Sequence, residues 1–183
     1  MTATPLPARI VEVTSALTDA QRELEALLDG IPVAHHDAPV ATGWTIAPVI
    51  EHLARVEDGS GRVVSRLCEA AAGTVEAETA PLMPSLAALR IETVATPLTA
   101  PEMVQPQDGL SAADALARLR EARARLLSVL LANAGRALSG VTHPHPRLGV
   151  LNGYQWGLFL ALHQRRHQAQ IVGIARALAG GGA

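Results

Sequence analysis

The chain has 183 residues, of which 49% are hydrophobic and only 2% are aromatic. This length suits one domain with a sizeable core, spanning residues 1–183, and the scarcity of aromatic residues favours packed helices over a β-sandwich. A net charge of −2 and a pI near 6.4 exclude the basic surface that nucleic-acid-binding proteins present.

Cysteine content and hydropathy favour an intracellular protein. Cys68 is the single cysteine, so the chain has no internal disulfide, and we expect an unreactive packed thiol because no His or Lys adjoins it. No apolar run reaches the roughly 18 residues of a membrane span. Residues 1–7 lack the basic and apolar regions of a signal peptide. We therefore expect a cytoplasmic protein with no membrane partner.

Residues 8–31 predict a first helix, because their apolar side chains recur every three or four positions. These side chains are Ile10, Val13, Leu17, Leu24, Leu28 and Ile31. Pro7 suits the start of the helix and Gly30 its end. His35 and His36 follow in a segment that we interpret as a solvated polar loop.

A second helix is predicted over residues 45–72, with Thr45 as its N-cap and Pro48 in its first turn, where proline is tolerated. Its apolar stripe includes Val49, Val56 and Val63. At about 100° per residue, His52 borders this stripe and faces the core.

Residues 73–110 contain no clear long element and are interrupted by five prolines, with one short helical turn predicted at 85–91. A segment of this length inside a compact domain is typical of a crossover or a functional loop. In a four-helix bundle, such a crossover allows an order other than simple up-and-down.

A third helix is predicted over residues 111–138, where Ser111 and Asp114 resemble a capping box. Arg123 falls in the middle of its apolar stripe. It either reaches solvent, pairs with a carboxylate, or anchors an anionic substrate from a cavity. We name Arg123 and Tyr154 as candidate substrate-binding residues.

The last part of the chain, from residue 140, contains the histidine pattern that most strongly indicates a functional site. Residues 140–149 are predicted to be a loop, in which proline after His143 and after His145 enforces extended backbone. Asn152 is the expected N-cap of a fourth helix at 151–179. One face of that helix is apolar except for His163 and His167.

His163 and His167 are four positions apart, so their imidazoles can converge on one metal ion, as in the zinc-protease helix motif. Gln164 stands where that motif carries its glutamate, which excludes a zinc protease. With His52 as a third ligand, the set is typical of a catalytic metal site with an open position. The alternative is that the three histidines are hydrogen-bonded core residues.

These motifs also resemble the DinB-like (DinB/YfiT) superfamily. Trp44 followed by Ile50-Glu51-His52-Leu53 resembles its second helix. The segment His143-Pro144 through Leu148-Gly149, followed by His163-Gln-Arg-Arg-His167-Gln-Ala-Gln-Ile171, resembles its last helix and the approach to it. The resemblance implies a four-helix bundle, a divalent metal held by His52, His163 and His167, and a homodimer.

The superfamily includes S-transferases that use bacillithiol, mycothiol or glutathione, and a mycothiol-dependent maleylpyruvate isomerase. The resemblance therefore implies a metal-dependent thiol S-transferase acting on a small-molecule electrophile, with Zn²⁺ or Ni²⁺ as the expected ion. Two alternatives stay open. One is a metal-dependent hydrolase or isomerase. The other is a non-catalytic bundle, such as a stress-response protein, that binds a metal or a small molecule.

Overall fold

The computed structural model describes residues 5–41, 43–83, 100–107 and 109–180. Within these ranges, four long helices account for most of the chain, which confirms the predicted all-α four-helix bundle. The elements in chain order are α1 (Ala8–Asp29), α2 (Val33–His36), α3 (Ile46–Ala70), a 3-10 turn (Glu102–Val104), α4 (Ala112–Ala132), β1 (Thr142–His145), β2 (Gly149–Asn152) and α5 (Gly153–Gly180). The helical turn predicted at 85–91 lies outside the described residues.

Helices α3 and α4 run parallel to each other. Glu57 of α3 pairs with Arg123 of α4, and the Cys68 carbonyl accepts a hydrogen bond from Arg136, just past the end of α4. Residue numbers therefore rise together along the two helices. A parallel pair of consecutive long helices requires a connection that returns along the bundle, and this confirms the crossover between them.

Helices α1 and α5 are also parallel and closely packed. A Cβ atom on Gly157 would lie 2.7 Å from Cγ1 of Val13, so any other residue here would force Val13 or the two helices to shift. Further along, Arg165 of α5 donates to Glu23 of α1 at 2.9 Å. Because α5 also packs against α3, its long sides face two different helices.

Helices α1 and α4 run in opposite directions. Arg123 donates to the Leu17 carbonyl, whereas Arg120, earlier in α4, reaches Glu25, later in α1. The four long helices α1, α3, α4 and α5 therefore run up, down, down and up. Apolar side chains fill the bundle in two clusters, and His52 lies beside the one formed by Ile46, Ile50, Leu53, Leu119 and Ile171, among others.

The prediction that the third helix extends to residue 138 is wrong. Helix α4 ends at Ala132, and Asn133 follows it with its side-chain amide donating to the Val129 carbonyl at 2.7 Å. Leu138 is fully buried, but in a turn, where its carbonyl accepts from the backbone N–H of Gly153 at 3.0 Å. Its apolar character reflects this packing under the start of α5.

Residues 140–149 are not simply a loop. Strands β1 and β2 form an antiparallel hairpin in which His143 pairs with Leu151 and His145 pairs with Gly149. The extended backbone predicted from the X-Pro pairs is present, but it is used as a strand. Pro144 is tolerated because each strand of a two-stranded sheet has an open edge.

The predicted caps differ in outcome. Ser111 accepts from the Asp114 N–H at 3.1 Å, and Asn152 accepts from the Gln155 N–H at 2.9 Å, as expected of N-cap residues. Thr45 precedes α3, but its side chain makes no cap hydrogen bond. The polar loop predicted at His35 and His36 is wrong, because both residues belong to the one-turn helix α2. Nε2 of His36 contacts the carbonyls of Leu28, in the last turn of α1, and of Ile31, just past its end.

None of the described helices combines the length and the apolar character that crossing a bilayer demands.

Candidate metal centre

His52 is held in one orientation by the crossover segment. Its side chain is buried, and its Nδ1–H donates to the Val104 carbonyl at 2.8 Å. A carbonyl can only accept, so Nδ1 must carry the hydrogen and Nε2 presents its lone pair. This is the arrangement in which metal-ligating histidines are usually oriented by their second nitrogen.

On α5, His163 and His167 face each other one turn apart. Their ring centroids are 4.6 Å apart and their Nε2 atoms are 3.2 Å apart. The Nδ1–H of His167 donates to Oε1 of Gln170 at 2.8 Å, so its Nε2 also presents a lone pair. Because the two Nε2 atoms are within hydrogen-bonding distance, either an Nε2–H of His163 donates to the lone pair on His167 or a shared cation binds both nitrogens.

The three imidazoles converge on one point. The His52 ring centroid lies 5.2 Å from that of His163 and 4.8 Å from that of His167, and one nitrogen from each residue lies within 4.8 Å of the other two. Two nitrogens bound tetrahedrally to one zinc ion are roughly 3.3 Å apart. The 3.2 Å between the Nε2 atoms of His163 and His167 fits this value. With one nitrogen from each histidine within 4.8 Å of the others, the three residues could hold a metal after a small adjustment of their side chains.

Burial keeps these imidazoles neutral. It is the main cause that lowers the pKa of His163 well below its ordinary value, and the neighbouring His167 and His52 lower it further. Burial likewise lowers the pKa of His167 to about 4, and lowers the pKa of His52. Neutral imidazole is the form that binds a metal, so all three are ready to act as ligands at pH 7.

Three of the four aromatic residues in the chain surround the histidines. The Trp44 ring centroid lies 5.2 Å from that of His52, and Phe159 lies 5.4 Å from His163. Trp156 contacts Phe159 and is held by a hydrogen bond from its Nε1 to the His143 carbonyl of the hairpin. These rings give the site an apolar wall that limits access of water.

Hydrogen bonds connect the crossover segment to α3 next to His52. The Glu51 carboxylate is buried and accepts from the backbone N–H of Gln107 at 2.8 Å and from Arg55 at 2.9 Å. Glu51 and His52 are neighbours in sequence and bind two ends of one short segment, 104–107. The Glu51 side chain therefore helps to place the Val104 carbonyl that orients His52.

A sequence profile of the DinB superfamily matches residues 16–171. The chain belongs to the DinB superfamily. Its fold is also similar to the crystal structure of TT2238, a four-helix bundle protein, at 27% sequence identity and a TM-score of 0.61, over 90% of this chain and 98% of that chain. No match to the chain is found among curated proteins.

In this DinB-superfamily chain, Arg123 lies in the centre of the bundle and is 3% exposed. It pairs with both carboxylate oxygens of Glu57, donates to the Leu17 carbonyl, and donates from Nη2 to Oε1 of Gln164 at 2.7 Å. Pairing with a carboxylate was one of the three interpretations of this residue. Its role in binding a substrate stays a prediction.

Tyr154, the other candidate substrate-binding residue, is fully buried at the start of α5. Its hydroxyl donates to the Arg136 carbonyl at 3.2 Å, and burial together with the nearby Glu76 raises its pKa. Nine residues separate it from His163, which is about 13 Å along the helix axis. Its substrate-binding role also stays a prediction.

Cys68 and His145 complete the groups that the sequence singled out. Burial raises the pKa of the Cys68 thiol to about 11, which fits an unreactive packed thiol. The His145 ring packs on Phe159 with centroids 4.6 Å apart, and its Nδ1 accepts from two backbone N–H groups of the hairpin turn. His145 is therefore part of the wall around the site and not of the ligand group.

Sequence reasoning missed the groups that orient the ligands. Gln170 could have been found, because it lies three positions after His167 on the same helix face. The Val104 carbonyl could not, because a backbone acceptor 52 residues away leaves no pattern in the side chains. Glu51 belongs to the Ile50-Glu51-His52-Leu53 motif, but its bond to Gln107 is visible only in the structure.

Proposed function

We propose that this DinB-superfamily protein is a metal-dependent enzyme that joins a low-molecular-weight thiol to a small electrophile. The observation that carries the proposal is the convergence of three neutral imidazoles, two of them with Nε2 atoms 3.2 Å apart. Three histidine ligands with an open position are typical of catalytic metal sites, whereas purely structural sites fill all four positions with protein groups.

His52, His163 and His167 would hold the ion, and we expect Zn²⁺ or Ni²⁺ because imidazole suits both. Such an ion, when bound, favours the thiolate form of a thiol, which is the nucleophilic form. Bacillithiol, mycothiol and glutathione are the candidate cosubstrates.

The chain's own residues supply orientation and an apolar environment. The Val104 carbonyl and the Gln170 amide fix the ring orientation of His52 and His167. Trp44 and Phe159 border the histidines and reduce the local concentration of water, which would otherwise compete with the thiol. This environment also favours an electrophile with an apolar or aromatic body.

Metal analysis combined with a thiol screen tests the proposal. Purified protein reconstituted with Zn²⁺ or Ni²⁺ should retain one ion per chain after desalting. It should also transfer at least one of the three thiols to an electrophilic dye. The His163→Ala, His167→Ala double variant should lose both properties, because it removes two of the three ligands.

His35→Ala is the matched control, because His35 is a partly exposed histidine of α2 that lies outside the three-histidine cluster. It should keep its metal and its activity. Equal metal content in the wild type and the double variant would contradict the proposed site. Metal retention without transfer to any thiol would instead support the non-catalytic alternative.

A further inference from the structure

Each metal-site histidine of α5 is followed directly by a glutamine, and the two glutamines share one acceptor. Nε2 of Gln164 donates to the Ala20 carbonyl at 2.7 Å, and Nε2 of Gln168 donates to the same oxygen at 2.8 Å. Ala20 is fully buried in the middle of α1. One backbone oxygen of α1 therefore holds two successive turns of α5.

The histidine pair, His163 and His167, and the glutamine pair, Gln164 and Gln168, point at different helices. Consecutive residues of an α-helix are about 100° apart around its axis. The glutamine pair faces α1, and the histidine pair faces His52 of α3. The rotation of α5 that satisfies the glutamines is thus the rotation that brings His163 and His167 to His52.

Gln164 is itself fixed by a buried ion pair. Its Oε1 accepts from Arg123, which is paired with Glu57, and arginine can only donate. The amide of Gln164 therefore has one possible orientation, with its NH₂ group toward Ala20. Through this network, groups of α1, α3, α4 and α5 are joined beside the histidines.

The rotation of α5 matters for metal binding, because a metal site tolerates only small changes in the positions of its ligands. A side-chain tip about 5–6 Å from the helix axis moves by about 2 Å when the helix turns by about 20°. Metal–nitrogen distances tolerate only about 0.2 Å. A small rotation of α5 would therefore take His163 and His167 out of reach of an ion held by His52.

We propose that Gln164 and Gln168 are positioning residues that set the rotation of α5 and thereby preorganise the three-histidine site. The proposal rests on the proposed metal-binding function, because one of its measurements is the affinity for a metal ion. The histidine geometry can also be followed in metal-free protein, where it does not depend on that function.

The test compares wild type with Gln168→Met and with the Gln164→Met, Gln168→Met double variant. Methionine keeps the length of the side chain and removes the donor. Co²⁺ titration followed by its visible absorption should show about tenfold weaker binding for Gln168→Met, the lower end of the effect of outer partners of ligands. The double variant should bind Co²⁺ more weakly than Gln168→Met does, and its Co²⁺ absorption spectrum should differ from that of the wild type.

In metal-free protein, the imidazole ¹⁵N shifts of His163 and His167 should move in both variants, because their 3.2 Å contact changes. Gln21→Met is the matched control. Gln21 is a helical glutamine of α1 whose Nε2 donates to Glu25, so its loss should leave shifts and Co²⁺ binding unchanged. Gln168 is partly exposed, so its variant should remain folded.

Two results distinguish a failure of the proposed metal-binding function from a failure of the proposed positioning role. If wild type binds no Co²⁺ but the glutamine variants still shift the His163 and His167 resonances, the metal function fails and the positioning role stands. If the double variant, folded by circular dichroism, keeps wild-type shifts and wild-type Co²⁺ affinity and spectrum, the positioning role is overturned.

Discussion

At the scale of single residues, burial decides when the histidines become charged. An unperturbed imidazole has a pKa near 6.5, which alone would predict loss of metal as the pH falls through about 6. In the structure, burial lowers the pKa of His167 to about 4 and lowers that of His163 well below its ordinary value. Protonation therefore competes with metal binding only under more acidic conditions.

The same shift has a consequence for the stability of the metal-free protein. Below pH 6.5 the unfolded chain binds protons at these histidines, whereas the folded chain does not. The free energy of unfolding should therefore fall as the pH drops from about 6.5 toward about 4, the range between the unfolded and folded pKa values of His167. Urea titrations at several pH values between about 6.5 and about 5.5, the upper part of this range, would measure the slope before most carboxylates titrate.

Removal of the titrating groups provides the control for this prediction. The His163→Gln, His167→Gln double variant should show a flatter dependence of stability on pH than the wild type. His35→Gln, a histidine-to-glutamine change outside the three-histidine cluster, is the comparison variant. A double variant with an unchanged slope would show that other groups govern acid stability.

At the scale of elements, the predictions from the sequence were most accurate where the spacing of side chains along one helix face determines the structure. The stripe that includes Trp156, Leu160, His163, His167 and Ile171 recurs at helical spacing, so both the helix and the facing of its histidines follow from local geometry. This local pattern located two of the three histidines, and the inward face of α3 located the third.

Prediction failed where distant segments decide the structure. Leu138 continues the apolar spacing of α4, yet it lies in a turn because its burial comes from contact with Gly153. The hairpin at 142–152 has few of the side chains that favour strands, although its paired residues are only four to ten positions apart. Glu51 and Val104 meet through a crossover whose path no periodicity describes.

At the scale of the whole molecule, we predict that the protein is a homodimer, as the family resemblance implies. Large apolar side chains are exposed on several of the described helices, including Val11 on α1, Val33 on α2 and Leu131 on α4. Sedimentation velocity at micromolar concentration should show a species of twice the chain mass of 19.1 kDa. A single species of monomer mass across that concentration range would contradict the prediction.

The Glu57–Arg123 pair connects the whole bundle and should dominate its response to mutation. Arg123 reaches α1 through the Leu17 carbonyl, α3 through Glu57 and α5 through Gln164, and both charged side chains are only 3% exposed. Removing one partner leaves the other charge buried and uncompensated. Arg123→Met should therefore lower the free energy of unfolding by about 3–5 kcal/mol in urea denaturation.

Removing both charges separates the cost of an unpaired charge from the worth of the pair. In the Glu57→Leu, Arg123→Met double variant no buried charge remains at this position, and apolar replacements of similar size can match or exceed a buried ion pair in stability. The double variant should therefore be more stable than Arg123→Met alone. It should still bind metal more weakly than the wild type, because Gln164 loses the donor that orients its amide toward Ala20. If Arg123→Met is as stable as the wild type, the pair does not hold the bundle together, and the hydrogen bonds of Gln164 and Gln168 to the Ala20 carbonyl orient α5 without it.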